Sequence, residues 1–480
     1  MCDAVLHDYN TPMVAIPPPL FPSPVDTRIG RLEFSQGYPT PETTARLFDE
    51  LDFQRAVQGY LWAIPLVGFA HWQREHETVF GAGDCDIVEY SSFTDKLGLL
   101  TANATTPYIV GFPNLARTGP LILEVPAGPT AGAVLDFWQR PITDTGLTGP
   151  DGGAGARYLL VGPGQEVPDV PGAIVVQTPT LSVMHGTRML TTDRDEAART
   201  LAGYRVYPVS SMGSPAPTRV VRPDGREWSG TQPRGIAYWE AVDRFIDAEP
   251  VHDRDRITIA SLEYLGIVKG APFEPDERQR RILEQATVVG EAMARAIGYE
   301  PRFAGATVYP GRDWKLALFL DADQEIEYTT QLDERTAWFY EAVTASKGMT
   351  THTPGQGQVY LHVGRDSSGA WLSGDHHYEL VVPAEVPVKQ FWSFTAYDND
   401  TRCFIDNPVG RADRSSRDPL DVNPDGSVTL QIGPTPPAGS DANWIPTVPG
   451  RGWFAYFRFY APTEAYFDRS WQLPDLVRID

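Results

Sequence analysis

Residues 390–398 read QFWSFTAYD, a run of large apolar and aromatic residues that is typical of a β-strand. Similar short runs flank it in the C-terminal part of the chain, at residues 359–364 (VYLHVG), 377–383 (HYELVVP), 427–433 (SVTLQIG) and 453–462 (WFAYFRFYAP). The turn sequence Pro424-Asp425-Gly426 separates two of these runs. The C-terminal part of the chain is therefore predicted to form a β-rich domain.

A second series of such runs begins near residue 100, at residues 107–112 (PYIVGF), 119–126 (GPLILEVP), 132–138 (GAVLDFW), 156–164 (ARYLLVGPG) and 172–179 (GAIVVQTP). Helical periodicity precedes this series from Thr40 or Thr43 onward, and it returns between the two series. The order helix, sheet, helices, sheet predicts an α+β protein with two β-rich domains. We expect a Pro-rich extended arm over residues 1–40, a helix and β-rich domain over 41–210, a linker and helical bridge over 211–345, and a β-rich domain over 346–480.

The charge balance is strongly acidic. The 480 residues include 40 Lys and Arg against 62 Asp and Glu, a formal net charge of −22. Nucleic acids and anionic membranes both require clustered basic residues, so neither is expected as a partner.

Cysteine usage and the N-terminal sequence both favour a cytoplasmic location. Cys2, Cys85 and Cys403 lie far apart, without the spacing of a disulfide framework or a zinc knuckle. The N-terminal sequence lacks the pattern of a secretory signal. The longest uncharged run, residues 56–72, contains Pro65 and is predicted to be a buried helix pair instead of a membrane span.

Four of the nine histidines fall within residues 352–377: His352, His362, His376 and His377. On strands, His362 would share a face with Tyr360, whereas the adjacent His376 and His377 would point to opposite faces. Three interpretations stay open for these residues: ordinary strand histidines, a divalent metal site, or metal-free acid–base groups.

Polar residues interleaved with Trp and Tyr near strand ends form a second group of candidates, and such residues commonly line a concave small-molecule pocket. The candidates for substrate binding are Asn103, Thr106, Tyr108, Trp138, Trp392 and Trp444. Arg188, Tyr397 and Asp398 complete the group. The alternative is that the same residues build ordinary β cores and cap turns.

Common catalytic and nucleotide motifs are missing from the sequence. There is no Gly-x-Ser-x-Gly elbow and no phosphate-binding loop with Gly-Lys-Ser/Thr. The segment VGPGQEV, residues 161–167, lacks the third glycine of a dinucleotide fingerprint. No nucleotide cofactor is expected.

Two parts of the chain resemble families without a known function. The segments HHYELVVPAEVPVKQFWSFTAYDNDTRCFIDNP (376–408), VNPDGSVTLQIGP (422–434) and DANWIPTVPGRGWFAYFRFYAP (441–462) resemble the domain of unknown function numbered 1214. The segments NATTPYIVGFPNLARTGPLILEVP (103–126) and HGTRMLTTDRDEAARTLAGYRVYP (185–208) are similar to the domain numbered 1254. The His376-His377 pair departs from the pattern, since family members commonly carry Asn and one aromatic residue there.

The resemblance implies two sandwich- or jelly-roll-like β units joined by a helical segment, with the 1254-like domain first. It implies no reaction, and fold alone does not fix one.

Our leading hypothesis is an intracellular enzyme of hydrolase or lyase type that acts on a small organic molecule. His362 and His377 would be acid–base groups or metal ligands, and Arg188 would neutralise negative charge. Tyr397 and Asp398 would position the substrate. The metal candidates are His352, His362, His376 and His377, and the metal identity stays open.

Two other functions are compatible with the same sequence. One is a non-catalytic protein that binds a small molecule or a carbohydrate through its aromatic residues. The other is a structural or assembly module that buries one sheet face in a homo-oligomer.

Overall fold

A computed structural model describes residues 21–191, 193–350 and 353–480. The helices, numbered in chain order, are α1 Pro41–Thr78, α2 Leu115–Thr118, α3 Arg194–Gly203, α4 Ile236–Ala248, α5 Arg256–Glu263, α6 Glu277–Tyr299, α7 Leu332–Glu341, α8 Lys347–Thr350 and α9 Glu464–Phe467. Across the described ranges, none of the helices is both long and apolar enough to cross a bilayer.

The strands of the N-terminal part are β1 Val25–Thr27, β2 Gly30–Leu32, β3 Phe34–Ser35, β4 Tyr38–Pro39, β5 Ile87–Tyr90, β6 Tyr108–Gly111, β7 Leu121–Val125, β8 Thr130–Asp136, β9 Pro141–Gly146, β10 Ala156–Val161, β11 Ile174–Gln177, β12 Val183–Met189, β13 Arg205–Pro208 and β14 Val220–Val221. Those of the C-terminal part are β15 Lys315–Leu316, β16 Glu325–Ile326, β17 Thr329–Thr330, β18 Gln358–Val363, β19 Tyr378–Val382, β20 Trp392–Asp398, β21 Asp413–Ser415, β22 Val428–Gly433, β23 Trp444–Pro446, β24 Trp453–Tyr460 and β25 Val477–Arg478. The α+β class predicted from the sequence is confirmed.

The described part of the predicted N-terminal arm contains more structure than the sequence indicated. Strands β1 and β2 pair antiparallel, and so do β3 and β4. The side chain of Arg46 on α1 donates to the Arg31 carbonyl at 2.8 Å, which joins this segment to the helix. Residues 1–20 lie outside the described residues.

The long helix α1 corrects the predicted helix pair. It continues for 38 residues through Pro65, although proline removes one intrahelical hydrogen bond. Distant side chains bind the backbone around Pro65: Arg335 donates to the Trp62 carbonyl at 2.8 Å, and Gln139 donates to the Pro65 carbonyl at 2.7 Å. Side chains from remote segments thus bind two carbonyls of the helix next to the proline.

Two sheets form the N-terminal β unit. The four-stranded sheet has the order β11-β10-β7-β13, and the six-stranded sheet has the order β14-β5-β6-β12-β8-β9. Apolar residues of both sheets, such as Leu123 and Val134, share one hydrophobic core. The other face of the six-stranded sheet packs toward α1 through residues such as Leu135 and Met184.

Helices α4 to α7 pack around α1 between the two β units. Helix α6 begins with a capping box in which Asp276 and Gln279 satisfy each other's backbone N–H groups. Arg278 on this helix forms ion pairs with Asp49 and Asp52 of α1. Buried residues of α1, α4, α6 and α7 form one continuous apolar core.

Two further sheets form the C-terminal β unit, with strand orders β15-β18-β24-β20-β21 and β23-β22-β19-β25. Strand β24 is buried on both faces over its whole length. Its residues Phe457 and Phe459 lie in the core between these two sheets, and the alternation of a strand turns Tyr456, Arg458 and Tyr460 toward the rest of the molecule.

Candidate functional site

A cavity of about 570 Å³ lies between the two β units, within the usual range of small-molecule sites. One wall is the face of the six-stranded sheet formed by β6, β8 and β12. Another wall comes from β18 and β24, and the segment from α7 to α8 contributes a third. Both β units therefore have to be present for the cavity to be complete.

Small residues in the middle of the first wall leave room for the cavity. Ala131 and Ala133 on β8 line it together with Gly186 on β12, which pairs directly with Ala133. Successive side chains of a strand point to opposite faces, so Val134 instead enters the core between the two N-terminal sheets. Larger side chains at the small positions would fill the space.

Arg188 is the main polar group on the first wall. Its Nη1 donates to Gln358 Oε1 at 2.5 Å, across the boundary between the two β units. Gln358 Oε1 also accepts a hydrogen bond from the Tyr360 hydroxyl at 2.8 Å. The amide oxygen of Gln358 is neutral, so it orients the guanidinium of Arg188 without cancelling its charge.

Arg458 supplies a second buried guanidinium from the other wall. It donates to Thr395 Oγ1 at 3.1 Å and to the Thr101 carbonyl at 2.8 Å. The rings of Tyr360, Tyr397 and Tyr456 surround its charged end at centroid distances of 5.5, 5.6 and 5.2 Å. All of these neighbours are formally neutral.

Asn103 arranges two tyrosine hydroxyls at the same end of the cavity. Its backbone N–H donates to the Tyr108 hydroxyl at 2.8 Å, and its side-chain amide donates to the Tyr460 hydroxyl at 2.5 Å. Within the described residues, neither hydroxyl donates to a protein acceptor. Both hydroxyl protons are therefore available to a ligand oxygen.

Cations outnumber carboxylates around the cavity. Arg188, Arg458 and Lys347 line it, while the one carboxylate among the described lining residues is Asp144. Asp144 accepts hydrogen bonds from the backbone N–H groups of Lys347 at 3.2 Å and Gly348 at 2.9 Å. In the part of the chain that the structure describes, none of these three cations forms an ion pair.

One more cation and one more acid lie close to this end of the cavity without lining it. Lys96 donates to backbone carbonyls, including that of Asn103 at 3.0 Å, and burial lowers its pKa to about 8. Burial raises the pKa of Asp413 to about 7, although Lys96 and Arg458 oppose this rise. Near neutral pH, Asp413 therefore compensates the neighbouring cations only in part.

The candidates for substrate binding divide into two groups. Asn103 and Tyr108 line the cavity, and so does the proposed charge-neutralising residue Arg188. The hydroxyl of Thr106 accepts a hydrogen bond from the Asn103 side-chain amide at 3.2 Å, so Thr106 supports the site from behind.

The three tryptophan candidates lie outside the cavity lining. Trp138 packs against Trp62 and Phe245 in the helical core. Trp392 stacks on Phe457 between the C-terminal sheets. Trp444 donates its indole N–H to the Gly433 carbonyl at 3.0 Å.

His362 lies in a buried polar cluster instead of the cavity lining. Its Nε2 is 3.7 Å from Glu341 Oε1, and both side chains are 3% exposed. Burial lowers the pKa of His362 to about 3 and raises the pKa of Glu341 to about 7. Both shifts favour the uncharged forms, so this contact is not an ion pair at mildly acidic to neutral pH.

Tyr397 and Asp398 have well-defined structural contacts. The Tyr397 hydroxyl donates to the Ala102 carbonyl at 2.6 Å, which connects the two β units. Asp398 forms an ion pair with Arg451 and accepts backbone N–H groups in the following turn. Although burial alone would raise the pKa of Asp398, these donors lower it below its ordinary value.

The predicted grouping of His362 with His376 or His377 does not occur, because β18 and β19 belong to different sheets. The predicted opposite orientation of His376 and His377 is also wrong. Both precede β19, and their Nδ1 atoms lie 3.3 and 3.1 Å from the carboxylate of Asp480. His352 lies outside the described residues.

Metal binding stays a prediction. Over the described ranges, no three side chains of His, Cys, Asp or Glu are arranged to share a metal ion.

Sequence reasoning missed several lining residues, notably Gln358, Tyr460 and Arg458. The last two lie on β24, where a charged residue stands within the aromatic run WFAYFRFY, residues 453–460. A lone arginine in such a run was the available signal, because a buried charge requires specific partners.

Comparisons with known families agree with the sequence resemblance. The family "Protein of unknown function (DUF1254)" matches residues 88–208, and "Protein of unknown function (DUF1214)" matches residues 357–464. The chain carries the two matches in tandem. The DUF1254 region contributes Arg188, Tyr108 and Asn103 to the cavity, and the DUF1214 region contributes Arg458 and Gln358.

One solved structure supports the fold, and a second gives a weaker match. A protein from Vibrio parahaemolyticus has 16% sequence identity and a TM-score of 0.54, over 89% of this chain and 100% of its own. An uncharacterised protein from Burkholderia cenocepacia has 15% identity and a TM-score of 0.41, over 92% of this chain and 90% of its own. No curated protein matches the chain significantly.

Proposed function

We propose that the protein binds a small organic anion in the cavity between its two β units, with a carboxylate or similar group at Arg188. One observation carries this proposal: two arginine side chains line the cavity, and among the described residues neither Arg188 nor Arg458 forms an ion pair with a carboxylate.

The physical argument rests on the cost of a buried charge. A charge removed from water loses its hydration, and neutral acceptors restore only part of the lost free energy. Arg188 and Arg458 have such acceptors in Gln358, Thr395 and the Thr101 carbonyl. An anion in the cavity would gain the attraction of both guanidinium groups and the free hydroxyl protons of the tyrosines.

The net charge of the whole chain strengthens the case for an anionic ligand. A chain with a net charge of −22 repels anions in general. Three cations nevertheless line this cavity against a single carboxylate among the described residues. The local excess of positive charge therefore favours an anionic ligand at this place.

This proposal develops the alternative of small-molecule binding. Hydrolase or lyase chemistry stays a hypothesis, and its histidines lie elsewhere: His362 is buried and His377 lies near Asp480. Proton transfer inside the cavity would instead depend on Tyr108, Tyr460 or Asp144, whose pKa is raised by burial.

The test compares octanoate with octanamide, which share the chain and differ in charge. Trp72 and Trp338 line the cavity, so intrinsic fluorescence and calorimetry can both report binding. We expect octanoate to bind more tightly than octanamide, and Arg188→Gln to weaken octanoate binding about 10- to 100-fold, the effect of losing a charged hydrogen bond.

The control is Arg302→Gln, since the side chain of Arg302 is 84% exposed and its loss changes the net charge equally. This variant should bind octanoate like the wild type. Equal binding of octanoate and octanamide, no binding of either at millimolar concentration, or equal effects of the two substitutions would contradict the proposal.

A further inference from the structure

The chemical character of the cavity changes along its strands. Three rows cross the first wall, with the pairings Tyr108–Arg188–Ala131, Val110–Gly186–Ala133 and Met184–Leu135. The first row carries the guanidinium. The second consists of Val, Gly and Ala and continues on β9 to Asp144, which pairs with Ala133, and the third is apolar. The cavity wall is thus polar at one end and apolar at the other.

The distance between the polar row and the apolar row follows from strand geometry. Arg188 and Met184 are four residues apart on β12, and a strand rises about 3.4 Å per residue, so the two rows are about 14 Å apart. An extended alkyl chain advances about 1.25 Å per carbon because its bonds are about 1.5 Å long. About eleven carbons therefore cover this distance.

The two tryptophans of the lining have their indole N–H groups occupied. The indole N–H of Trp72 donates to the Tyr90 hydroxyl at 2.9 Å. The indole N–H of Trp338 donates to the Thr344 carbonyl at 3.0 Å. Both tryptophans therefore present apolar surface to the cavity, and Trp72 belongs to the same apolar cluster as Met184.

Space in the middle row depends on Gly186. A Cβ atom at this position would lie 2.6 Å from the terminal methyl carbon of Met184, closer than van der Waals contact permits. Even alanine would displace the Met184 side chain toward new contacts. Gly186 therefore makes room for the Met184 side chain, which lies over the middle row. The short side chain of Ala133 leaves space beside it for a ligand to reach the apolar end.

We infer that the ligand is an elongated amphipathic carboxylate, with its anionic group at the Arg188 row and an apolar body reaching the Met184–Leu135 row. This inference rests on the proposed function and adds the class of ligand. Burial of the apolar body supplies most of the affinity. A compact polar anion would leave the apolar half of the cavity without a matching surface.

The first experiment measures binding of acetate, butyrate, hexanoate, octanoate, decanoate and dodecanoate to the wild-type protein by calorimetry. Each buried methylene contributes about 0.8 kcal/mol, so affinity should rise about fourfold per added carbon. The rise should level off between decanoate and dodecanoate, where the chain reaches the third row.

The second experiment fills part of the middle row with the larger side chain of Ala133→Leu. We expect this variant to bind decanoate at least tenfold more weakly than the wild type, while its affinity for butyrate changes less than threefold. The control is Ala438→Leu, which adds the same side chain at an exposed position outside the cavity and should change neither affinity.

The outcomes separate the two proposals. Carboxylate binding that depends on Arg188 but not on chain length would overturn the inference and leave the proposed function intact. Equal weakening of butyrate and decanoate by Ala133→Leu would also overturn it. Absence of any carboxylate binding would contradict both proposals. The chain-length series on the wild type decides the question even if Ala133→Leu does not fold.

Discussion

Replacing Glu341 by glutamine should stabilise the protein above neutral pH and have a much smaller effect at acidic pH. Glu341 ends α7, and its Oε2 accepts a hydrogen bond from the Tyr456 hydroxyl at 2.7 Å. Its Oε1 has no hydrogen-bond partner among the described residues. Glutamine has the same shape, and its amide could donate toward His362.

The size of the expected stabilisation follows from the pKa of Glu341. Burial raises this pKa from 4.5 to about 7, so the folded protein holds the proton more tightly than the unfolded chain does. The free energy of unfolding of the wild type therefore falls as pH rises from about 4.5 to about 7, by about 3 kcal/mol in total. Glutamine does not ionise, so the variant lacks this loss.

The assay is urea-induced unfolding of both proteins at pH 5, 6, 7 and 8, with the free energy of unfolding extrapolated to water. A constant effect of the substitution on packing cancels when the difference between variant and wild type is compared across pH. Glu334→Gln, which removes a less buried carboxylate from the same helix, controls for net charge.

Between pH 5 and pH 8, the free energy of unfolding of Glu341→Gln minus that of the wild type should rise by most of the 3 kcal/mol. A difference that stays constant across this range would refute the reasoning, because Glu341 would then ionise in the folded protein as easily as in the unfolded chain.

Two further substitutions test the structural roles of predicted site residues. Trp392→Ala should lower the free energy of unfolding by about 3 to 5 kcal/mol, because it empties the space beside Phe457 in the C-terminal core; a loss below about 1 kcal/mol in urea unfolding would contradict this placement. Asp398→Asn should cost about 1 kcal/mol at neutral pH, because Arg451 is partly exposed. The lowered pKa of Asp398 means that its contribution is present above the ordinary value of 3.8 and is lost as pH falls below it. Unfolding curves of wild type and Asp398→Asn should therefore approach each other in acid, and a gap that widens there would contradict the ion pair.

The fold class could be predicted because local patterns agree with the tertiary structure. The apolar runs of both series became strands, and the helical periodicity between the two series became helices such as α3, which the side chain of Asp193 caps. Caps and apolar periodicity act within a few residues, so the sequence displays them directly.

The continuity of α1 could not be predicted from local sequence. Pro65 is a strong local signal for a break, and the side chains that bind the helix carbonyls there come from remote segments. Gln139 is 74 residues away and Arg335 follows Trp62 by 273 residues. Which remote donors reach these carbonyls is decided by the packing of the whole domain.

The candidate site was predicted in part for a similar reason. Asn103, Tyr108 and Arg188 carry polar groups near strand ends, where pockets commonly lie, and they do line the cavity. Arg458 and Tyr460 were missed because β24 is buried on both faces. A strand of that kind lacks the alternation of apolar and polar residues that shows which face meets a ligand, so the lone Arg458 was the one sign available.

Because both regions of the chain line the cavity, they should be inherited together. A gene that encoded the DUF1254 region alone would produce only part of the cavity lining, and so would a gene for the DUF1214 region alone. If binding is the property on which selection acts, neither half has a separate use at this site. Selection should then act against recombination that separates the two domains, and the two should stay encoded in one gene.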